Sequence, residues 1–268
     1  MSKQEARDFS QVVKLQAFQR FQPGARARAA ARRALDLLFP PQALDGAGSP
    51  QWQGLSADGW SRVRFIAEPL CDGCGAPFEF ETGMRCAACL AQPRAFGRAR
   101  AACLYDDASR DLILKLKHAD RTDLAPLFSR WIGRAAAELL ADADAVAPVP
   151  LHRARLLRRR YNQAAEIARP LARAHRLTYL PDALVRARNT ESQGGKSGSG
   201  RRRNVAGAFA VPDRRKASVE GRRIVLIDDV LTTGATLEAC SKALLKAGAR
   251  AVDVAVIARV REAANISI

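Results

Sequence analysis

The chain has 268 residues, 48% of them hydrophobic, and a net charge of +17 from 44 Lys/Arg against 27 Asp/Glu. That length supports one good-sized core plus a small accessory module, and no apolar run approaches the roughly 20 residues of a membrane-spanning helix, which excludes a transmembrane reading. The charge is uneven: positions 146–226 hold 19 Lys/Arg against 5 Asp/Glu, a field that gathers polyanions, nucleic acid or pyrophosphate alike, unless it is only the solvated face of an arginine-rich protein.

In chain order, residues 1–34 form a polar extension expected to be partly disordered, with an apolar face only where Ala30, Ala34, Leu37 and Leu38 fall at helical spacing before Pro40 and Pro41. No secretory apolar core precedes the first arginines, so we read the chain as cytoplasmic. Residues 42–69 are rich in Gly, Pro and Ser, carry Trp52 and Trp60 as isolated aromatics, and read as a loop.

Two CxxC knuckles follow, Cys71 with Cys74 and Cys86 with Cys89. Their spacing presents four thiolates to one tetrahedral ion, a structural zinc ribbon with no open coordination position. Disulfides and a redox dithiol are the weaker readings: the first because of the compartment, the second because such a dithiol has no need of a second pair. The preceding loop aligns with this module. Gln42, Asp45, Ser56 and Gly59 fall opposite Cys71, Cys74, Cys86 and Cys89, so residues 42–60 are either a ribbon that has lost its metal or a chance match in a small-residue loop. The expected organisation is thus a 1–34 extension, a 35–97 double zinc-ribbon-like module whose second half binds zinc, and a 98–268 domain.

That last domain reads as α/β. Residues 98–105 form a strand in which Cys103 is a small buried hydrophobe. Two helical patterns follow, one with Leu112, Ile113 and Leu116 on a face and Lys115, Lys117 and His118 near its end, the other with Leu124, Leu127, Phe128, Trp131 and Ile132. Residues 146–151 form another short apolar strand, which runs straight into a basic segment, His152 to Gln163. A helix over 162–175 and a strand over 184–188 come next. Residues 189–204, NTESQGGKSGSGRRRN, make the most flexible-looking stretch. Order resumes at 209–211, and the last strand covers 252–257. Gly195-Lys196-Ser197 imitates the end of a Walker A loop, but Thr190 stands where the opening glycine belongs and no helix follows, so an ATPase is rejected.

The most informative stretch is 224–236, IVLIDDVLTTGAT. Its apolar run suits a central parallel strand covered on both faces. From Leu237 the positions Leu237, Cys240, Leu244 and Ala247 recur at helical spacing, and Gly248 supplies the stop. Between strand and helix, Thr232, Thr233, Gly234, Ala235 and Thr236 offer amides, hydroxyls and a glycine to a phosphate. Asp228 and Asp229 only accept hydrogen bonds when ionised, so they suit sugar hydroxyls rather than phosphate. A phosphate beside vicinal hydroxyls describes a ribose phosphate; the bland alternative is a buried strand followed by an acidic turn.

The stretch resembles the phosphoribosyl pyrophosphate (PRPP) signature of type I phosphoribosyltransferases. Together with the knuckles, PVPLHRARLLRRRYNQ and the RARNTESQGG to RRRNVAGAF region, the chain from Leu35 onward resembles the ComF family. The resemblance implies a type I phosphoribosyltransferase-like, mostly parallel sheet flanked by helices, behind an N-terminal zinc-ribbon module. It implies that Asp228 and Asp229 bind ribose hydroxyls with Mg²⁺ bridging to pyrophosphate. It further implies that Thr232, Thr233, Gly234, Ala235 and Thr236 hold the 5-phosphate, that His152, Arg153 and Arg155 meet pyrophosphate, and that Thr190, Gln193, Arg201 and Asn204 belong to a mobile loop. The implied cofactors are structural Zn²⁺ and Mg²⁺. The implied partners are PRPP or a ribonucleotide, DNA-uptake or recombination proteins, and single-stranded DNA held through its phosphates. Three positions depart from the family pattern: Arg160 replaces the Gly before the aromatic-Asn-Gln, Lys196 replaces an apolar residue, and the first ribbon lacks cysteines. No general base and no acceptor-base pocket is legible. Two readings therefore follow, a phosphoribosyltransferase and a non-catalytic PRPP- or nucleotide-sensing module acting on DNA or its processing partners.

Overall fold

A computed structural model describes residues 43–46, 54–79, 84–118, 121–152, 156–157, 159–187 and 207–261. They lie within one compact unit, Ala43–Ile268. The expected helix over residues 30–38 falls outside the described residues, as does Trp52.

The core is a five-stranded sheet in the order β1-β7-β6-β2-β3, with every neighbouring pair parallel. Its strands are β1 (Ala99–Leu104), β2 (Ala145–Pro148), β3 (Thr178–Tyr179), β6 (Arg223–Leu231) and β7 (Ala251–Arg259). A separate antiparallel pair joins β4 (Val185–Arg186) to β5 (Phe209–Ala210). The segment expected as the next strand after residue 184 is therefore β4, which stands outside the main sheet.

Strand alternation sends Val225 and Ile227 to one face and Ile224 and Leu226 to the other, and all four are fully buried. The first face packs α3 (Asp107–His118), α4 (Ala125–Ala135), α5 (Ala137–Ala141) and α6 (Gln163–Ala174), with Phe128, Ile132 and Ile167 at its centre. The second packs α7 (Lys216–Val219) and α8 (Ala235–Lys246), with Leu237, Cys240 and Leu244 against Ile224 and Leu226. Burial on both faces is why the strands read as continuous apolar runs. Cys103 is fully buried and donates its thiol to the Ile257 carbonyl, 3.3 Å, as expected of a small core residue.

Residues 54–69 are more ordered than their composition suggests. They contain a short helix, α1 (Ala57–Arg62), capped by Ser56, whose hydroxyl accepts the Gly59 N–H at 2.9 Å. Trp60 is not isolated: its ring lies 5.2 Å from Phe65 and 5.9 Å from Trp131 of α4, centroid to centroid. Beyond it, the Ile66 N–H bonds to the Ala102 carbonyl, so this segment covers the outer edge of β1.

Of the positions aligned with the cysteines, Gln42 lies outside the described residues, and Ser56 shares a local geometry with Cys86. Ser56 caps α1 with φ −67° and ψ 164°, and Cys86 stands before α2 (Ala87–Ala91) with φ −70° and ψ 158°. Where the second half gathers thiols, the first gathers hydrogen bonds. Asp45 accepts from the Ser56 hydroxyl at 2.5 Å and from the Ser56 N–H at 3.3 Å. A Cβ on Gly59 would stand 2.0 Å from the Asp45 carboxylate, so the three aligned positions converge on one point. Lys115 of α3 donates to the Asp45 carbonyl, 2.8 Å, and anchors the half to the domain. Asp45→Ala orphans the Ser56 donors and is expected to destabilise by about 2 kcal/mol. Denaturant melts should show that loss with zinc content unchanged; a neutral substitution would mean that the clasp holds nothing.

Candidate functional site

Two features of the topology open a crevice. After β2 the chain crosses by α6 on one face to β3, and after β6 it crosses by α8 on the other face to β7. The order therefore diverges between β2 and β6, and in open parallel sheets ligands sit outside the carboxyl ends of the strands at such a point. Pairing of β6 with β2 ends at Pro148 and Ile227, whereas pairing of β6 with β7 continues to Leu231 and Arg259. Asp228 and Asp229 are thus still strand residues, on the side that β2 has just vacated.

Alternation separates the two carboxylates. Asp229 lies on the α3 face, where its Oδ2 meets Lys117 Nζ at 2.9 Å with the side chains only 17% and 18% exposed. Asp228 lies on the α8 face and accepts the Asp229 N–H at 2.9 Å. Burial pushes the Asp228 carboxyl up to about 7, and the negative charge of Asp229 adds to the rise. The Asp229 N–H, Lys117 and Arg186 act against it. Arg186 stands in β4 with its guanidinium over the Phe209 ring, 5.3 Å from the centroid.

The loop beyond β6 is short. Thr232 is exposed, Thr233 and Thr236 are half-buried, and Gly234 and Ala235 are buried. Gly234 has φ +77°, a left-handed conformation that suits glycine, and it stands at the N-cap of α8. No side chain caps that helix; the Thr233 hydroxyl is a distant 3.5 Å from the Ala235 N–H. The first amides of a twelve-residue helix are left to an external acceptor.

The opposite wall is the segment leaving β2. The Val149 N–H donates to the Ile227 carbonyl at 2.9 Å, which carries residues 149–152 to the same end of the sheet as Asp228. His152 is half-buried there. Arg153 and Arg155 lie outside the described residues, as do Thr190, Gln193, Lys196, Arg201 and Asn204. The far end of the segment is fixed by Tyr161-Asn162-Gln163. Tyr161 donates its hydroxyl to the Leu116 carbonyl, Asn162 donates to the Val149 carbonyl at 3.0 Å, and the Asn162 side chain caps α6. Arg160 adopts φ +64°, so an arginine takes the turn at which the family pattern has glycine, at a cost of about 1 kcal/mol.

Lys117, Asn162 and Arg186 escape a reading of the sequence as site residues. Lys117 follows an amphipathic helix pattern and looks like a solvated helix end. Only the packing of α3 across β6 brings it to Asp229.

The cysteines form a second centre. The Sγ atoms of Cys71, Cys74, Cys86 and Cys89 lie within 4.8 Å of one another, with Cys74 and Cys86 3.8 Å apart. Four ligands at tetrahedral Zn–S distances of about 2.3 Å stand about 3.8 Å apart, so the cluster fits one zinc ion. Although burial raises it, the Cys71 thiol is brought down to about 7 by the backbone N–H groups of Cys74 and Cys86. Burial pushes Cys86 and Cys89 up, with the charge of Cys74 contributing. Four thiolates at this spacing need a cation to coexist.

A parallel sheet carrying an acidic pair and an uncapped glycine loop at its switch point, with a four-cysteine ribbon folded against it, defines a phosphoribosyltransferase-like protein with a zinc-ribbon module. The Phosphoribosyl transferase domain matches residues 161–265, and the Double zinc ribbon domain matches residues 34–90. The chain is 32% identical over 200 residues to the DNA utilization protein YhgH of Escherichia coli strain K12, covering 72% of this chain and 86% of that one. It is 32% identical over 204 residues to Competence protein F of Haemophilus influenzae, covering 71% and 85%. Against Competence protein ComFC of Bacillus subtilis it is 28% identical over 193 residues, covering 70% and 76%. The chain belongs to the ComF family. Among the described residues no helix is long and apolar enough to cross a membrane.

Proposed function

We propose that the crevice between β2 and β6 binds PRPP with Mg²⁺, and that the protein transfers the phosphoribosyl group to an acceptor in the handling of imported DNA. The observation that carries this reading is the Asp228/Asp229 pair beside the uncapped Gly234 loop at the switch point. The loop amides and the Thr233 and Thr236 hydroxyls would hold the 5-phosphate. Asp228 and Asp229 would accept from the ribose hydroxyls, and Lys117 would supply positive charge at the same point. Carboxylate oxygens also suit a hard divalent cation, and Lys117 Nζ already marks a cation position beside Asp229. When bound, Mg²⁺ would neutralise charge on the pyrophosphate. His152, with Arg153 and Arg155, would stabilise that leaving group electrostatically. The names of the relatives support the DNA-uptake setting.

A second reading, a PRPP- or nucleotide-sensing module that contacts single-stranded DNA, is favoured by the 19 basic against 5 acidic residues over 146–226. Such contact would run through phosphates and weaken with salt. Pyrophosphate release from PRPP across a panel of nitrogenous acceptors separates the two. Turnover that depends on Mg²⁺ supports transfer, calorimetric PRPP binding without turnover supports the sensor, and absence of PRPP binding overturns both.

A further inference from the structure

We propose that Arg94 is a positioning residue through which the zinc ribbon sets the shape of the phosphate loop, so that metal in the ribbon and a phosphate ester in the crevice bind cooperatively. The inference rests on the reading of residues 232–236 as a phosphate site.

Arg94 lies five positions beyond the zinc ligand Cys89, just after α2 ends. Its Nη1 donates to the Thr233 carbonyl at 3.1 Å. The same nitrogen stands 3.4 Å from the point that a Cβ on Gly234 would take, so the guanidinium rests against the loop itself. One residue on, the Ala95 N–H donates to Glu238 Oε2 in the first turn of α8, 2.9 Å. The linker from the second knuckle thus grips both sides of the segment 234–237.

The peptide plane turns this grip into a control. Thr233 C=O and Gly234 N–H belong to one planar trans peptide and point in opposite directions. Fixing the carbonyl on Arg94 fixes the Gly234 amide on the other side, and the cation polarises that peptide so that its N–H is a stronger donor. A three-residue loop with no side-chain cap has little else to hold this orientation.

The first knuckle is wired to the same end of the sheet. Arg259, only 4% exposed, donates Nη1 to the Cys74 carbonyl at 2.6 Å and approaches Cys74 Sγ at 3.5 Å. It ends β7 opposite Leu231, the residue before the loop. Both knuckles therefore reach the loop's two supports. Because coupling between sites is reciprocal, phosphate ester would tighten zinc by the factor that zinc tightens phosphate ester.

The experiment is calorimetric titration of the full chain with ribose 5-phosphate, with zinc content and melting temperature read alongside. Arg94→Met keeps the aliphatic stem and removes the donors. It is expected to bind about tenfold more weakly with zinc retained, and Arg94→Lys, which keeps a donor of shorter reach, is expected to fall between. Stripping zinc from the wild type should also weaken binding, reversibly on re-addition, whereas stripping it from Arg94→Met should weaken it by a smaller factor, the part carried through Arg259. Equal affinity of Arg94→Met and wild type overturns the proposal, and so does a wild-type affinity indifferent to zinc, a result that does not depend on how the variant folds. If the wild type binds neither ribose 5-phosphate nor PRPP, the reading of the loop fails, and the role of Arg94 with it.

Discussion

At pH 8, Asp228→Asn is expected to melt several degrees above the wild-type chain while losing its affinity for Mg²⁺ and PRPP. The Asp228 carboxyl is raised to about 7 in the folded state, against roughly 3.9 in an unfolded chain. Between those values the folded state holds the extra proton. Stability therefore falls as pH rises from about 4 to about 7 and stays at the lower level above that. Three pK units correspond to roughly 4 kcal/mol. The residue is half-buried, and the charges of Lys117 and Arg186 favour its ionised form, so a cost on the order of 2 kcal/mol is the fair expectation, or about 4–8 °C in a domain of this size. Asparagine does not ionise and escapes that cost. The two curves should converge only below about pH 4, where Asp228 is protonated in the folded and the unfolded chain alike.

Asp229→Asn should move stability the other way. It leaves Lys117, 18% exposed, without its carboxylate, a loss of about 1 kcal/mol once the relief of Asp228 is counted. Conservative changes at adjacent positions would then alter stability in opposite directions and binding in the same one. A strand residue kept charged at a cost to the fold is a common mark of a functional position. Melting curves from pH 5 to 9 decide the matter: an Asp228→Asn chain that is less stable than wild type at pH 8 contradicts the account.

What was legible in the sequence follows from the range of the interactions involved. The apolar run at 224–227, the helix after Thr236 and its glycine stop are local, and they appear as β6 and α8 within a residue or two at the helix ends. The continuation of β6 through Asp228 and Asp229 was hidden because acidic residues look like the start of a loop. Only β7, which pairs as far as Arg259, holds them in the sheet. Residues 184–188 carry the same local signal as a core strand, yet Val185 and Arg186 pair with Phe209 and Ala210 across a long insertion, a partner choice that spacing cannot disclose. At the cysteine centre, the chemistry of the thiols was readable from residue type. Lys117 on Asp229, Asn162 on Val149 and Arg94 on Thr233 depend on separations of 13 to 139 residues, and no periodicity records them. Arg160 shows the converse: its identity argued against the turn, and the backbone adopts it all the same.

Cys71→Ser is expected to be the most damaging single change in the ribbon, far beyond Asp45→Ala at the corresponding clasp of the other half. Cys71 is fully buried, and its sulfur accepts from the Cys74 N–H at 3.5 Å and the Cys86 N–H at 3.2 Å. The local backbone is therefore built around that atom. Structural zinc contributes about 10–16 kcal/mol to the folding of small metal-dependent modules. A serine in one of four positions removes a soft ligand and leaves a divalent ion with three. The expected result is a fall from about one zinc per chain to nearly none, and a melting temperature lower by ten degrees or more. The damage should spread into the sheet, because Arg259 at the end of β7 and Arg100 in β1 both bond to this knuckle. The first donates to the Cys74 carbonyl; the second meets Asp72 at 3.0 Å. With the knuckle unfolded, Arg259 becomes a buried charge without its acceptor, a worse state than having no arginine there at all. The metal-free half should survive, since Asp45, Ser56 and the Trp60 cluster require no ion. Limited proteolysis should then cut first within residues 68–92 and leave 54–66 protected. Zinc analysis and melting on the same preparations test the asymmetry directly. A wild-type chain holding two zinc ions, or one whose melting is unmoved by a chelator, would show that the two halves are not the metal-bound and hydrogen-bonded versions of one module.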